Sequence, residues 1–362
     1  MKKSIYTAYG SDIKATTLLI LNAANAKSMV PAGAKISLKP NLVVGRPASE
    51  GATTHPEIAA GIIEYFRESG FNEIEIIEGS WVGDDTSRAF SRCGFDAIGK
   101  KYGVPLYDLK KDRAVSVSTP IGDLKICRRA YDADFLINLP VMKGHCQTVI
   151  TCALKNLKGC IPDSEKRRYH ALGLHGPIAA LAGALRPQMI LVDGICGDLS
   201  FEEGGNPVQQ DRLILATDPV KTDLYACSLM GVDPGEVNYI ALAAQYGAGE
   251  HSLSQDEVMQ VNKPSPLAAA PERSYKVRAL AKNVREDSAC SACYGALIHA
   301  LGRIDEQGLL HNVPETFIGQ GFRGKAISND GVGIGVCAGG AKRCVMGCPP
   351  SSQDIIAELL KK

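Results

Sequence analysis

The stretch FLINLPVMKGH at residues 135–145 combines the two features that decide the fold. Its first part, Phe135–Leu139, is almost uniformly apolar, which is typical of a strand buried on both faces of a parallel sheet. Pro140, Lys143 and His145 follow directly after this run and place polar groups at its carboxyl end. Apolar runs of similar length predict further strands at Lys35–Leu38, Glu73–Ile77, Met189–Val192 and Leu213–Ala216.

Helical patterns occupy segments between these strands. The first of them begins with Pro56 after Thr-Thr-His, which is a favourable helix start. Strands that alternate with helices imply an α/β fold with a mostly parallel sheet flanked by helices. The predicted helices are Pro56–Ser69, Ser87–Lys101, Val149–Leu157, Ile178–Leu185 and Val220–Met230.

A proline-rich stretch separates two predicted domains. Prolines are excluded from the interiors of helices and sheets, so the three prolines between Lys263 and Pro271 indicate a linker. We therefore predict an α/β domain over residues 1–262, a linker over residues 263–274, and a small C-terminal α/β domain over residues 275–362. This last segment contains five of the twelve cysteines.

The composition limits the classes of function. With a net charge of +1, the chain of 362 residues has no overall field that would attract nucleic acid or an anionic membrane. No apolar run approaches the roughly 20 residues of a transmembrane helix, and the beginning of the chain only loosely resembles a secretory signal. A chain of this size does not need disulfides for stability. We expect a cytoplasmic protein with reduced thiols.

The cysteines of the C-terminal segment have the spacing of a metal centre. Cys290 and Cys293 are close enough to hold one metal from a single turn and precede a helical run, Cys337 ends a glycine-rich strand, and Cys348 precedes the closing helix. Helix N-termini stabilise thiolates. We predict that these four cysteines bind an iron–sulfur cluster, expected to be 4Fe–4S. Cys344 is the alternate ligand, because the prolines after Cys348 constrain that position more.

Zinc is the alternative metal for these cysteines, because sets of four cysteines serve both metals. Cysteines that are buried separately and bind no metal are the third interpretation. The ferredoxin run C-x2-C-x2-C-x3-C is absent from the sequence, so a ferredoxin fold is not predicted.

Polar side chains follow several predicted strands or lie close to them in the sequence. The carboxyl ends of parallel strands meet at one edge of the sheet, where α/β proteins bind ligands, so we expect these side chains to line one crevice. Its lysines would make it cationic and suited to a carboxylate or phosphate. We predict catalytic roles for Lys143, His145 and Lys39. The predicted substrate-binding residues are Asn41, His55, Glu78, Lys155, Asn156, Lys158, His170 and Asp193.

Other roles remain open for this group. A basic loop is often only solvated, and a histidine is often an ordinary hydrogen-bonded side chain. The histidines could also join Asp193 or Glu78 in binding a divalent metal. The sequence has no P-loop, no dinucleotide-binding glycine motif and no zinc-protease or serine-hydrolase motif.

Four motifs resemble the family catalogued as domain of unknown function 362. They are Leu38-Lys-Pro-Asn-Leu42, Thr53-Thr-His-Pro56, Ile137-Asn-Leu-Pro-Val-Met-Lys-Gly-His145 and Leu154-Lys-Asn-Leu-Lys-Gly159. The resemblance implies a prokaryotic protein, often from an anaerobe, that is associated with an iron–sulfur centre. Members frequently carry that centre in an appended ferredoxin module, which this chain replaces with its own cysteine pattern.

These observations predict an iron–sulfur oxidoreductase that acts on a small anionic ligand, with an electron-transfer protein as a further partner and no nucleic-acid or membrane partner. One alternative is a non-redox lyase or isomerase, in which Lys143 or His145 moves protons and the cluster acts as a Lewis acid or a structural clip. Another is an iron–sulfur carrier without catalysis.

Overall fold

A sheet of eight strands forms the centre of the first of two units in the computed structural model, which describes residues 4–199, 202–268 and 279–361. This first unit comprises Met1–Lys166 and His175–Glu272. Its strands are, in chain order, β1 (Ile5–Tyr9), β2 (Ile36–Pro40), β3 (Ile74–Glu78), β4 (Leu106–Asp108), β5 (Ala114–Val117), β6 (Leu124–Cys127), β7 (Phe135–Leu139), β8 (Lys143–His145), β9 (Val149–Thr151), β10 (Met189–Asp198), β11 (Pro207–Ala216) and β12 (Val258–Gln260).

The order of the large sheet is β12-β1-β11-β10-β7-β2-β3-β4. From β10 to β4 all neighbours are parallel, whereas β11 is antiparallel to both β1 and β10. The other four strands form two separate antiparallel ribbons, β5 with β6 and β8 with β9. The predicted α/β class with a mostly parallel sheet is confirmed.

Helices flank this sheet. They are α1 (Ile13–Ala23), α2 (Pro56–Glu68), α3 (Thr86–Arg92), α4 (Phe95–Tyr102), α5 (Arg128–Tyr131), α6 (Ala153–Asn156), α7 (Asp163–Ala171), α8 (His175–Leu185), α9 (Pro219–Met230) and α10 (Asn238–Gln245). α1 packs against α2, while α6, α8, α9 and α10 form a second group of packed helices. No helix in the described part of the chain has the length and apolar character needed to cross a membrane.

Two predicted helices differ from the structure. The prediction for Val149–Leu157 is wrong in its first half, because Val149–Thr151 forms β9 and only Ala153–Asn156 is α-helical. Three successive β-branched residues favour the strand. The segment Ser87–Lys101 is divided into α3 and α4 at Gly94, whose φ of +79° interrupts a regular helix.

The alternation of side chains along the central strands determines which face of the sheet carries the buried polar residues. Leu38 and Ile137 point into the main apolar core, in which α1 and α2 also take part. The next residues along β2 and β7, Lys39 and Asn138, therefore project to the opposite face. They lie side by side in the sheet and are fully buried. Buried polar residues on one face of an otherwise apolar sheet mark where a site is built.

The second unit comprises Arg167–Leu174 and Arg273–Lys362. Its parallel sheet has the order β13 (Val284–Glu286), β14 (Thr316–Ile318), β15 (Ile327–Ile334) and β16 (Ala341–Val345). Two helices, α11 (Ser291–Glu306) and α12 (Ser352–Leu359), pack against each other. The small C-terminal α/β fold is confirmed. Residues 269–274 of the predicted linker lie outside the described residues.

Candidate functional site

Lys39 and Glu78 form a buried ion pair at the ends of β2 and β3. Lys39 Nζ lies 2.6 Å from Glu78 Oε2, and both side chains are almost fully buried. The ammonium also donates to the carbonyl of Pro40 at 2.8 Å and to Asn156 Oδ1 at 3.3 Å. Glu78 Oε1 accepts the N–H of Gly79 at 2.8 Å. Lys39 therefore has an acceptor within the protein for each of its three protons.

The Lys-Asn-Leu-Lys-Gly element of residues 155–159 packs against this ion pair. Asn156 bridges the two strands, because its Oδ1 accepts from Lys39 and its Nδ2 donates to Asn138 Oδ1 at 2.7 Å. A Cβ atom at Gly159 would lie 2.1 Å from Glu78 Oε1 and 2.6 Å from Lys39 Nζ. Only glycine fits at position 159. The side-chain amide of Asn156 is engaged in hydrogen bonds that hold this element against β2 and β7.

Asp223 holds the start of α6. This buried carboxylate on α9 accepts the N–H of Ala153 at 2.7 Å and that of Leu154 at 3.4 Å. Burial raises the pKa of Asp223 to about 7 even though these hydrogen bonds lower it. The short helix that carries Lys155 is thus anchored by Asp223 at one end and by Asn156 at the other.

Lys155 differs from Lys39 because its amine has no hydrogen-bond partner among the described residues. Its side chain is buried, with 7% of the residue exposed, and its Nζ makes no hydrogen bond within the described part of the chain. Burial and, next, the nearby charge of Lys158 lower the pKa of Lys155 well below its ordinary value. The charges of Glu202, Cys146 and Lys143 also act on it. We call Lys143, His145, Cys146, Lys155, Lys158 and Glu202 the lysine cluster.

Lys143 ties two loops of this cluster together. Its Nζ donates to the carbonyl of Ala52 and, at 2.7 Å, to the carbonyl of Glu202. Burial lowers the pKa of Lys143 to about 8, although Glu202 and other carboxylates act in the opposite direction. The ammonium is thus held by carbonyl groups, without a carboxylate in direct contact.

His145, Cys146 and Glu202 have ligand atoms within 4.8 Å of one another, a spacing that could hold a metal ion. His145 Nδ1 accepts the backbone N–H groups of Gln147 and Thr148, at 3.0 and 3.3 Å. The proton of neutral His145 therefore resides on Nε2, which lies 3.6 Å from Glu202 Oε1. A metal at this group would have to displace that proton from Nε2.

The Cys146 thiol donates to Glu202 Oε1 at 3.0 Å, and the Cys146 N–H donates to Oε2 at 3.2 Å. Burial and the charge of Glu202 raise the pKa of Cys146 well above its ordinary value, so the thiol keeps its proton. In this arrangement the three residues form a proton-sharing group beside Lys155.

His55 and Asp193 form a separate pair. His55 Nδ1 and the His55 N–H both lie 2.8 Å from Asp193 Oδ2, and Oδ1 accepts the N–H of Ile195 at 3.1 Å. Burial alone would lower the pKa of His55, but Asp193 raises it above its ordinary value. Asp193 is fully occupied, and His55 Nε2 is the atom of the pair left for a ligand.

The remaining predicted residues have other positions. Asn41 lies in the loop after β2, where its N–H donates to Thr54 Oγ1 and its Oδ1 accepts the N–H of Val43. His170 lies in α7, in the part of that helix assigned to the second unit. Most of the residues predicted to line one crevice therefore fall into three groups of contacts. These are the Lys39–Glu78–Asn156 network, the lysine cluster and the His55–Asp193 pair.

Short segments of the second unit bring its cysteines towards one another. Cys290 is the N-cap of α11, and Cys293 lies in the first turn. A Cβ atom at Gly335 would lie 3.6 Å from Cys293 Sγ, and the N–H of Val336 donates to the carbonyl of Gly347. The segments that carry Cys293, Cys337 and Cys348 therefore lie side by side.

Polar side chains point at two of these sulfurs. Gln320 Nε2 donates to Cys290 Sγ at 3.6 Å, and Arg323 donates to Cys337 Sγ at 3.5 Å. Such donors can complete the surroundings of a sulfur that binds a metal. Cys344, in contrast, lies on β16 with its Sγ 3.4 Å from Met346 Sδ, and burial raises its pKa.

Comparison with known proteins identifies the family. The model described as Domain of unknown function (DUF362) matches residues 36–228, which is more than half of the chain. The chain belongs to the DUF362 family. The matched region contains the ion pair, the lysine cluster and Asp223, whereas the C-terminal cysteines lie outside it.

Similar proteins include a thylakoid-associated protein of Synechocystis sp., which is 25% identical over 256 residues, or 66% of this chain and 76% of its own. Among solved structures, the lactate racemase apoprotein of Thermoanaerobacterium thermosaccharolyticum is matched with 12% identity and a TM-score of 0.42, over 63% of this chain and 57% of its own. A Thermotoga maritima protein has 10% identity and a TM-score of 0.38, over 66% of this chain and 60% of its own. Neither structure is matched over two thirds of its length.

Sequence reasoning missed four residues of this candidate site. Asn138 lies within a predicted apolar strand, and Cys146 directly follows His145 but was given no role. Glu202 and Asp223 are distant in sequence from the residues that they contact, at 56 and 70 residues. The adjacent Glu202-Glu203 pair was the available signal for Glu202, and no local pattern marks Asp223.

Proposed function

We propose that the protein is an iron–sulfur oxidoreductase that binds a small anionic substrate at the lysine cluster of its first unit. The observation that carries the proposal is the amine of Lys155, which is buried and has no hydrogen-bond partner in the described residues. A buried polar group without a partner costs about 1–3 kcal/mol. A fold retains such a group where a ligand or water completes it.

The charges of the cluster favour an anion as that ligand. Lys155 and Lys158 repel each other, and Lys143 adds a third amine, while Glu202 is the carboxylate that acts most strongly on Lys155. A carboxylate or phosphate between Lys155 and Lys158 would relieve their repulsion and provide acceptors for both.

For the second unit, we propose that Cys290, Cys293, Cys337 and Cys348 hold the cluster, with Cys344 as the alternate ligand. Gln320 and Arg323 donate hydrogen bonds to Cys290 Sγ and Cys337 Sγ, as the groups around a metal-bound sulfur do. When bound, a cluster supplies one-electron chemistry. An electron-transfer protein is the partner that this chemistry would require.

A non-redox lyase or isomerase is the second candidate, because the lysine cluster contains proton-transfer groups. His145 carries a proton on Nε2 near Glu202, and the Cys146 thiol donates to the same carboxylate. Such a group could take a proton from a bound acid and return it without any change in oxidation state. A cluster carrier without catalysis would need neither these groups nor Lys155.

Anaerobic purification followed by iron and sulfide analysis tests the cluster, and EPR before and after reduction tests its redox activity. We expect iron with inorganic sulfide and a signal that changes on reduction. Colourless protein with zinc and no sulfide would refute the iron–sulfur proposal. An intact cluster whose signal does not respond to reductant would favour the lyase or isomerase.

Thermal unfolding with oxalate, phosphate or sulfate tests the anion site. A bound anion should stabilise the protein by about 2.7 kcal/mol at a hundredfold excess over its Kd. Lys155→Met should abolish this response, and Lys101→Met, at an exposed position of α4, should preserve it. An equal response in both variants would show that the anion binds elsewhere.

We also propose a cytoplasmic location. The cysteines form no disulfide within the described residues, which fits a reducing compartment. The thylakoid association of the Synechocystis relative makes fractionation of the native cells the direct test.

A further inference from the structure

Lys155 is the exception among the buried lysines of this protein. The described residues contain five buried lysines, Lys39, Lys143, Lys155, Lys166 and Lys221. Lys39 pairs with Glu78 and Lys221 pairs with Glu257, while Lys143 and Lys166 donate to backbone carbonyls. A buried ammonium needs such acceptors to offset its desolvation. Lys155 has none, so its environment is suited to a neutral amine.

We propose that Lys155 is a nucleophile that forms a Schiff base with the carbonyl group of an anionic oxo acid. This inference rests on the proposed function, since it names the substrate class of the same anion site. The carboxylate of the oxo acid would pair with Lys158, and its carbonyl carbon would face the amine of Lys155.

The protonation state of Lys155 supports this role. Burial and then the charge of Lys158 both favour its neutral form. A neutral amine attacks a carbonyl, whereas an ammonium has no free electron pair. Desolvation and a neighbouring cation are the two ways in which proteins activate lysine for this reaction.

The local backbone holds the amine in place. Asp223 fixes the N–H groups of Ala153 and Leu154, and Asn156 is tied to Lys39 and Asn138. The residues on both sides of Lys155 are therefore anchored to α9 and to the central sheet. Anchoring of this kind reduces the entropy that a nucleophile loses on reaching its reactive geometry.

The reaction needs no oxidant. The nitrogen of Lys155 forms a bond to the carbonyl carbon, and the carbonyl oxygen leaves as water with the two hydrogens of the amine. The imine then takes one proton and becomes an iminium cation. Glu202, whose charge acts on Lys155, can accept a proton from the attacking nitrogen and return it to the leaving oxygen. Glu202 would offset the positive charge of the iminium, which replaces a neutral amine.

Borohydride trapping tests this inference on the full chain under anaerobic conditions. The protein is incubated with pyruvate, oxaloacetate or 2-oxoglutarate, reduced with sodium borohydride, and analysed by intact mass and peptide mapping. We expect at least one oxo acid to give a single adduct on Lys155. The corresponding 2-hydroxy acids, which have no carbonyl at that carbon, should give none.

Two variants serve as controls. In Lys155→Arg the guanidinium keeps a positive charge that can bind the anion, but it has no nucleophilic amine. The oxo acid should therefore still raise the melting temperature of this variant, and borohydride should trap no adduct. Lys101→Met should give the same adduct as the wild type.

Thermal stabilisation by the oxo acids without any adduct would overturn the Schiff base and leave the anion site intact. Neither stabilisation nor adduct with any of the three acids would refute both proposals. Adducts spread equally over several lysines would show that Lys155 has no special reactivity.

Discussion

Replacing Lys155 with methionine should make the protein more stable, which is the reverse of the usual effect of a buried substitution. Methionine has a similar length and loses only the amine, which makes no hydrogen bond in the described residues. Leaving a buried polar group unpaired costs about 1–3 kcal/mol. Lys155→Met should therefore increase the free energy of unfolding of the first unit by a similar amount.

Lys39→Met is the matched comparison, because it makes the same change in a lysine that is equally buried but paired. It would leave Glu78 without its counter-ion at 2.6 Å and Asn156 without its donor. Removing one partner of a buried ion pair costs about 3–5 kcal/mol. The two methionine variants should thus differ from the wild type in opposite directions.

Urea unfolding followed by tryptophan fluorescence measures this difference. Trp81 is the single tryptophan of the chain and lies in the first unit, so its signal reports that unit. A change of 1 kcal/mol corresponds to a shift in Tm of about 2–4 °C for a unit of this size. Destabilisation of Lys155→Met by more than about 1 kcal/mol would show that its amine has a stabilising partner, and would refute the reasoning behind both proposals.

The effect of Lys155→Met should also depend on pH. The pKa of Lys155 is lower in the folded protein than in the unfolded chain, so the unfolded chain binds more protons between these two values. Wild-type stability therefore rises with pH across this window, up to the ordinary lysine pKa near 10.5. The variant lacks this contribution. Its advantage should be largest at low pH and should decrease towards pH 10.5, and a constant advantage would contradict the assigned pKa direction.

Three further predictions concern other parts of the protein. Gly159→Ala should destabilise the first unit by about 1–3 kcal/mol, because the new methyl group collides with the Lys39–Glu78 pair, whereas Gly176→Ala has open space and should change urea stability little. Burial raises the pKa of Asp223 to about 7, so the unfolded chain loses this proton first and stability should fall as pH rises from about 4 to 7; a urea series for Asp223→Asn should lack that decrease. Cys344→Ala should retain most of the iron and sulfide in anaerobic preparations, and loss of both would show that Cys344 is a ligand. Alanine should remove most of them at each of Cys290, Cys293, Cys337 and Cys348.

The fold could be predicted from sequence because its signals are local. The almost uniformly apolar run Phe135–Leu139 indicates a doubly buried parallel strand wherever the rest of the chain lies, and the structure confirms it. The helix predicted over Val149–Leu157 is wrong in its first half because local signals were ambiguous there. Its apolar residues fit the period of a helix or of a strand, and the β-branched residues at its start form a strand by pairing with β8.

The roles of the site residues could not be predicted in the same way, because they depend on partners that are distant in sequence. Glu202 reaches Cys146 across 56 residues, and Asp223 reaches Ala153 across 70. Sequence reasoning selected polar residues near strand ends because those positions follow from topology, and their roles remain predictions. It had no means of distinguishing a lysine that completes an ion pair from a lysine that is left without one.

That distinction gives the Lys-Asn-Leu-Lys-Gly element a physical meaning. Asn156 and Gly159 serve the Lys39–Glu78 pair, one through hydrogen bonds and the other through the absence of a side chain. The pair in turn fixes the segment in which Lys155 lies. Because Lys39 already satisfies Glu78, no carboxylate of this network is left to neutralise Lys155. The element therefore combines a support that is held by hydrogen bonds with one amine that has no hydrogen-bond partner among the described residues. The chemistry of the first unit should be sought at that amine.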